Sequence, residues 1–302
     1  MPFRAGPYRD SGALKDKTIM LLPRDILHRY SIKPRKSLGQ CFLVDQDRLA
    51  QIVQLADAGK DDVVVEIGAG IGVLTQSLAE RAARVIAVEL DDELVKVLED
   101  RLHSFPNIDI HHGNILRFDF RSLFVRTHRK IKVVGNIPYN ITSPLLFYLL
   151  SCRDVIHDFV LMMQKEMVER LTASPGEKAY GVPSVILQMF ADMENVLTIP
   201  PSCFYPRPKV ESAVLKGAFG DQPLFAIQDE DFFIRLVRDA FGQRRKTLMN
   251  NLKQASWMRK DEALLKDILK EAAIDGQRRG ETLSVKEFAV LSNVIKDTLK
   301  IT

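Results

Sequence analysis

Val63-Val64-Val65-Glu66-Ile67-Gly68-Ala69-Gly70-Ile71-Gly72 is a β-branched run that breaks into closely spaced glycines. A short run that is apolar at successive positions reads as a parallel strand buried on both faces. The glycines behind it let the backbone turn tightly and approach a ligand closely before a helix begins near Val73. Outward from this unit the chain alternates. Upstream, residues 47–58 put Leu49, Ile52, Val53 and Leu55 on one helical face. Downstream, the pattern predicts helices over 73–83, 91–103 and 144–151, and strands over 84–90, 108–111, 131–134 and 158–163. This alternation predicts an α/β fold, a doubly wound sheet with helices on both faces. Past residue 220 the segments 229–241, 244–254, 260–271 and 285–299 carry helical periodicity alone. The chain therefore divides into an N-terminal extension (1–30, with a short helix near its end), a sheet domain (31–220) and a small all-helical domain (221–302).

The glycine spacing selects among ligands. A dinucleotide loop wants G-x-G-x-x-G facing a pyrophosphate. Here Val73 stands where the third glycine belongs, and Gly72 comes one residue early. Glu66, expected at the mouth of the loop, would repel a phosphate but suits an ammonium, directly or through water. S-adenosylmethionine carries an amino-acid moiety and no phosphate, so it fits better. Glu89, at the end of the second strand, can accept hydrogen bonds from ribose hydroxyls, although nicotinamide-dependent enzymes use the same device. Asn114, after the third strand, falls where an adenine ring would sit; a plain turn asparagine reads equally well there.

Asn136-Ile137-Pro138-Tyr139 follows the fourth strand and is the most specific feature. The exocyclic amine of adenine is a poor nucleophile because its lone pair is conjugated into the ring. An Asn136 side-chain oxygen and the carbonyl of Ile137 or Pro138 can accept its two N–H bonds and aim the lone pair at a methyl donor. Pro138 fixes the local backbone. Tyr139 offers a flat face for a base, a contact that contributes ~1–3 kcal/mol. Phe204, in the proline-rich segment 200–210, is expected to fold over the pocket as the second wall of a base sandwich with Tyr139; a buried structural phenylalanine is the other reading.

Composition sets the bounds. The 302 residues, 46% hydrophobic and 27% charged, are those of an ordinary globular protein. A net charge of +4 permits a nucleic-acid partner without demanding one. Cys41, Cys152 and Cys203 stand far apart, with no CxxC or Cys/His cluster to bind zinc, and read as reduced thiols of a cytoplasmic protein. No apolar run approaches the ~20 residues that span a bilayer. No metal and no membrane are expected, and a monomer is.

Taken together, Ser37–Leu43 (SLGQCFL), the EIGAGIG loop, Val88–Asp91 (VELD), Gly135–Asn140 (GNIPYN), Met163–Glu166 (MQKE), Lys178–Gly181 (KAYG), Phe204–Val214 (FYPRPKVESAV) and Gly242–Thr247 (GQRRKT) carry a resemblance over nearly the whole chain. The chain resembles the small-subunit ribosomal RNA adenine-N6,N6-dimethyltransferases of the KsgA type. The resemblance implies a Rossmann-like S-adenosylmethionine-dependent methyltransferase sheet. It implies dimethylation of two adjacent adenines in the 3′-terminal hairpin of the small-subunit rRNA, on a 30S precursor. It implies cofactor contacts at Gln40, Cys41, Leu43, Gly68, Glu89, Asn114 and Asn136; Gly70 and Leu90 join this set from the same loop and strand end. Asn136, Pro138, Tyr139 and Phe204 are the catalytic candidates. The family usually has Asn at position 41 and Asp at 114, so those two contacts depart from its pattern. Arg244-Arg245-Lys246, expected to open a helix, becomes an RNA-phosphate patch under this reading and a solvated face otherwise; Gln277-Arg278-Arg279 is a weaker patch of the same kind. Three other readings stand beside it: the related large-subunit methyltransferase of macrolide resistance, a non-catalytic rRNA-binding assembly factor, and a dehydrogenase, the last disfavoured by the missing third glycine.

Overall fold

The computed structural model describes residues 23–35, 38–258 and 261–300. Most of the expected extension (1–22), Ser37 and the start of the helix expected at Lys260 lie outside the described residues. In chain order the elements are α1 (Pro23–Arg29), β1 (Phe42–Leu43), α2 (Gln46–Ala56), β2 (Val63–Ile67), α3 (Val73–Ala79), β3 (Arg84–Glu89), α4 (Asp92–Leu102), β4 (Ile108–His112), α5 (Phe120–Thr127), β5 (Ile131–Asn136), α6 (Thr142–Ser151), β6 (Ile156–Gln164), α7 (Lys165–Thr172), α8 (Val182–Phe190), β7 (Ala191–Ile199), β8 (Phe204–Tyr205), β9 (Ser212–Phe219), α9 (Glu230–Ala240), α10 (Leu248–Leu252), α11 (Glu262–Glu271) and α12 (Val285–Leu299).

The main sheet has seven strands in the order β4-β3-β2-β5-β6-β9-β7. The first five are parallel, and every residue of β2 is buried, as its unbroken apolar run requires. The order reverses between β2 and β5. At such a switch point the loops leaving adjacent strands part to opposite faces and open a crevice at the strands' carboxyl ends. Both the glycine loop and the Asn136 motif leave from there. Ile67 of β2 lies level with Gly135 of β5. A Cβ at position 135 would fall 2.6 Å from the Ile67 carbonyl oxygen, so this close approach requires glycine.

The sheet is mixed. β9 runs antiparallel to both β6 and β7, and the small β1–β8 pair is antiparallel as well. The periodicity of β7 (ADMENVLTI) is weak because only its two ends are buried, and α8 is apolar nearly all round. Neither announces its class from pattern alone.

No strand follows Phe219 among the described residues. Helices α9–α12 do not form a separate core: Phe232, Phe233, Leu236 and Phe288 join the hydrophobic cluster beneath the sheet. The rings of Phe190 and Phe233 meet edge to face at 6.5 Å, and the Tyr180 hydroxyl donates to the Leu283 carbonyl at 2.9 Å. The helix expected to begin at Arg244 starts later, at Leu248, because Thr247 caps it, its side chain accepting from the Asn250 amide at 3.3 Å. Arg244, Arg245 and Lys246 therefore sit in the exposed turn before the helix, not in its first turn.

Candidate active site

One cleft opens at the switch point, lined by residues from the glycine loop, the ends of β3 and β5, the turn after β4 and the segment Leu38–Leu43. Of the sequence candidates it gathers Gln40, Cys41, Leu43, Gly68, Gly70, Glu89, Leu90, Asn114, Asn136 and Pro138. Gly70 has φ +59°, and a Cβ there would approach the Phe42 ring to 3.2 Å. The loop thus lies pressed beneath the β1 segment, which crosses it as a strap. The strap is clipped at its far side, where the Val44 amide donates to the Cys203 carbonyl at 2.8 Å and β1 pairs with β8. Helix α1 leans on its outer side, with Ile26 and Leu27 in one apolar cluster with Phe42, Ile71 and Leu94.

Glu89 is 7% exposed. One carboxylate oxygen accepts from the Gly70 amide at 2.8 Å, and the other from the amides of Leu90 (2.8 Å) and Asp91 (3.0 Å). The acid therefore anchors the glycine loop besides facing the cleft. Burial raises its pKa, while these three N–H bonds pull the other way.

Glu66 departs from the expectation. It is not at the mouth of the loop but deep in β2, 2% exposed, where its side chain lines the cleft. Burial pushes its pKa up to about 8, and the nearby Glu89 adds to the shift. The neighbouring Thr75 hydroxyl partly opposes that rise, although Oε2 receives no donor in hydrogen-bond geometry. A buried carboxyl oxygen without a donor is costly; in a binding cleft it is a place for a cationic ligand group.

The strap also orients Asn136. Its side-chain Nδ2 donates to the Cys41 carbonyl at 2.8 Å. A carbonyl only accepts, so this bond fixes which end of the amide is which and leaves Oδ1 to the cleft. Cys41 acts here through its backbone, so replacement of the family's usual Asn leaves the contact intact; burial raises the pKa of its thiol. Of the two candidate carbonyls, that of Pro138 is occupied by the Ile141 amide (3.1 Å) and the Thr142 hydroxyl (3.4 Å). Ile137 donates its amide to the Met162 carbonyl at 2.8 Å, and its own carbonyl has no donor among the described residues. Tyr139 is half-buried, its hydroxyl 3.4 Å from Ser212 Oγ, and it does not itself line the cleft, although Pro138 and Asn140 on either side of it do; burial raises the pKa of its phenol.

Gln40, expected as a cofactor contact, is a strut as well. Its Oε1 accepts from the Arg35 amide at 2.7 Å and its Nε2 donates to Asp91 Oδ2 at 2.8 Å. Asp91 also receives Arg35 Nη1 at 3.2 Å and the Glu93 amide at 3.0 Å. Asp91 and Arg35 were not singled out by sequence reasoning. The available signal was an Asp directly before a helix, a preferred N-cap. Asn114 lines the cleft, but its Oδ1 already caps the turn that follows, accepting from the Leu116 amide at 3.0 Å.

Phe204 does not lie where the base sandwich requires it. It is 3% exposed and belongs to the core cluster with Cys203, Met162 and Val214. It does not line the cleft. Pairing of β8 with β1 turns its side chain inward and leaves the alternate residue, Tyr205, outside. The basic candidates lie away from the cleft. Arg244 donates to Glu281 Oε2 (3.1 Å) and to the Lys178 carbonyl (2.8 Å), while Arg245 and Lys246 are exposed. Arg278 is committed to an ion pair with Glu287, which removes it from the second patch. Cys41, Cys152 and Cys203 are unbridged. Among the described residues no His, Cys, Asp and Glu gather as a metal site, and no helix is long and apolar enough to cross a membrane.

The lining of the cleft contains two acidic side chains, Glu66 and Glu89, and no Lys, Arg or His; burial favours their protonated forms, and an arriving cation favours their ionisation. Such a site suits a ligand carrying positive charge and opposes a pyrophosphate. Comparison with known proteins agrees. Residues 31–290 match the family described as "Ribosomal RNA adenine dimethylase". The chain belongs to that family. It is 46% identical over 275 residues to "Ribosomal RNA small subunit methyltransferase A" of Syntrophus aciditrophicus (strain SB), covering 91% of this chain and 98% of that one. The protein of the same name from Bacillus mycoides (strain KBAB4) is 42% identical, covering 93% and 98%. Among solved structures, a dimethyladenosine transferase from Plasmodium falciparum superposes with TM-score 0.72 at 26% identity, covering 82% of this chain and 94% of that one. The 23S rRNA methyltransferase ErmE gives TM-score 0.68 at 24% identity, covering 84% and 99%, a likeness of fold alone.

Proposed function

We propose that the protein transfers methyl groups from S-adenosylmethionine to the N6 amines of two adjacent adenines in the 3′-terminal hairpin of small-subunit rRNA, giving N6,N6-dimethyladenines during ribosome biogenesis. The observation that carries this reading is the pairing of a cation-receiving cleft with an Asn136 amide oxygen locked toward it by the Cys41 carbonyl. The orphaned Glu66 Oε2 fits the cofactor's ammonium, and Glu89 its ribose hydroxyls. Leu90, Asn114 and Ile115 line the part of the cleft that would hold its adenine, while Cys41, Leu43, Gly68, Gly70 and the Gln40 strut would shape the rest of its seat. When bound, S-adenosylmethionine supplies an electrophilic methyl group.

The chain's own residues prepare the nucleophile. Asn136 Oδ1 and the Ile137 carbonyl accept the two N–H bonds of the target amine, which bends it toward a tetrahedral nitrogen and frees its lone pair. These acceptors are held in place before the base arrives, so little reorganisation is left for the reaction step. Pro138 fixes the turn and Tyr139 supports the face of the base. Phe204 backs the strap from the core. No strong base is required, because the methylated ammonium loses its proton to water. Target adenines must leave any stack, so a hairpin loop is a cheaper substrate than a duplex. Arg244, Arg245 and Lys246, in the helical segment 221–302, contact RNA phosphates and make binding salt-dependent. The protein acts as a monomer on a 30S precursor in the cytoplasm.

The test is incubation of purified protein with labelled methyl donor and unmethylated 30S particles or 50S precursors, followed by mapping of the modified base. Dimethyladenine in the 3′-terminal hairpin of the small subunit is expected. Label in the large subunit, or in neither, overturns the reading. Asn136→Ala should abolish transfer without altering the fold.

A further inference from the structure

Tyr205 is 43% exposed, on the outward side of the strand whose neighbour Phe204 is buried. It lies opposite Phe42 in the β1–β8 pair, and the next strap residue, Cys41, holds Asn136. Tyr205 is thus linked to the target-base acceptors through a single strap residue beyond its ladder partner. The Arg24 guanidinium lies over it, 5.9 Å from the ring centroid. Arg207, Lys209 and Val210 follow in the same loop, all exposed, Val210 at 46%. Among the described residues Arg24, Arg207 and Lys209 are in no ion pair, although Asp25 and Glu211 are close in sequence; Glu211 is taken by Lys165 at 2.8 Å. An exposed aromatic face amid unneutralised cations is what a single-stranded polynucleotide requires: a ring to stack on and charges for its phosphates.

We propose that Tyr205, with Arg24, Arg207 and Lys209 around it, is a stacking platform for an unpaired nucleotide flanking the target adenine. The inference rests on the reading of an RNA adenine as substrate. It adds a second base-holding position beside the reacting one, built from the strap and from α1. Stacking at Tyr205 fixes the strand's path, while the base entering the Asn136 site stays free to turn. The platform is sequence-tolerant, since every base has a face to stack.

The experiment compares wild type, Tyr205→Ala, Tyr205→Phe and the double variant Arg207→Gln/Lys209→Gln. Binding of a fluorescein-labelled, protein-free RNA carrying the target hairpin is followed by anisotropy over a range of KCl. Methylation of unmethylated small subunits is measured alongside, and S-adenosylmethionine binding by calorimetry. Tyr205→Ala should lose about 10- to 100-fold in RNA affinity and in kcat/KM, with cofactor affinity unchanged, and Tyr205→Phe should retain both. The double variant should lower the slope of log K against log salt by about 1.4. Wild-type RNA affinity in Tyr205→Ala, or an equal loss of cofactor binding, overturns the platform. So does a defect confined to intact subunits, which would assign the surface to a ribosomal protein. Failure of the wild type itself to methylate either subunit would instead sink the functional reading.

Discussion

Replacing Glu66 by Gln should stabilise the fold while weakening cofactor binding, and the stabilisation should depend on pH in a defined way. Glu66 is fully buried and releases its proton near pH 8 instead of near 4.5. A carboxyl whose pKa is raised on folding keeps its proton in the folded state while the unfolded chain gives it up. Stability therefore falls as pH rises from 4.5 and levels off above 8. The cost is under about 1 kcal/mol at pH 5, about 3 at pH 7 and about 5 above pH 8. An amide of the same shape does not titrate and keeps a polar contact with the neighbouring Thr75 hydroxyl. Urea unfolding of both proteins at pH 5, 7 and 8.5 reads the difference directly. The variant should gain little at pH 5 and about 2–3 kcal/mol at pH 7, part of the ideal figure being lost to relaxation around the charged form. Calorimetry should show S-adenosylmethionine bound at least about tenfold more weakly, the value of one charge-assisted hydrogen bond. A stability difference that is flat across pH, or a variant that binds the cofactor as wild type does, would refute the reasoning.

Gly70→Ala should cost about 1–2 kcal/mol for its left-handed backbone and displace Phe42, lowering both the thermal midpoint and cofactor affinity; an unchanged midpoint would count against the strap. Gln40→Leu removes the Gln40 bridge between the Arg35 amide and Asp91, leaving the direct Arg35–Asp91 ion pair, and should lower the single-turnover rate about tenfold at saturating substrates, whereas a merely structural role would reduce the active fraction and leave the rate constant alone. Tyr139→Ala should weaken RNA capture more than cofactor binding; equal losses by calorimetry would contradict its role as a support for the base. Glu287, held down to about 2 chiefly by Arg278, contributes stability above pH 4.5 that is lost as pH falls toward 2, so Glu287→Gln should lower stability at pH 7 and make no difference near pH 2 in denaturant titrations.

Much of the sheet and most of the site were legible in the chain. Buried parallel strands must be apolar on both faces, so β2, β3 and β5 announce themselves. The antiparallel strands did not: β7 is half exposed, and β9 was visible only as part of a motif. The boundary of α10 was misread because a capping threonine outweighed helical periodicity. Glu66 was read as an acid at the mouth of the loop but lies deep in β2, since depth belongs to the packing of neighbouring strands. Phe204 was assigned to a wall of the pocket, because which alternate residue of a two-residue strand faces inward depends on its pairing partner.

By itself the sequence determined the α/β class, the cationic character of the ligand and the target-base motif, because strand burial, glycine spacing and acceptor chemistry are local properties. Only the tertiary structure decided how these parts act on one another. A strap some 95 residues from Asn136 turns that side chain's oxygen toward the cleft. Glu89 and Asp91 tie the same strap to the glycine loop. Hydrogen bonds between distant segments leave no periodic trace in the chain, since each needs only one donor and one acceptor, and the fold alone brings the two together.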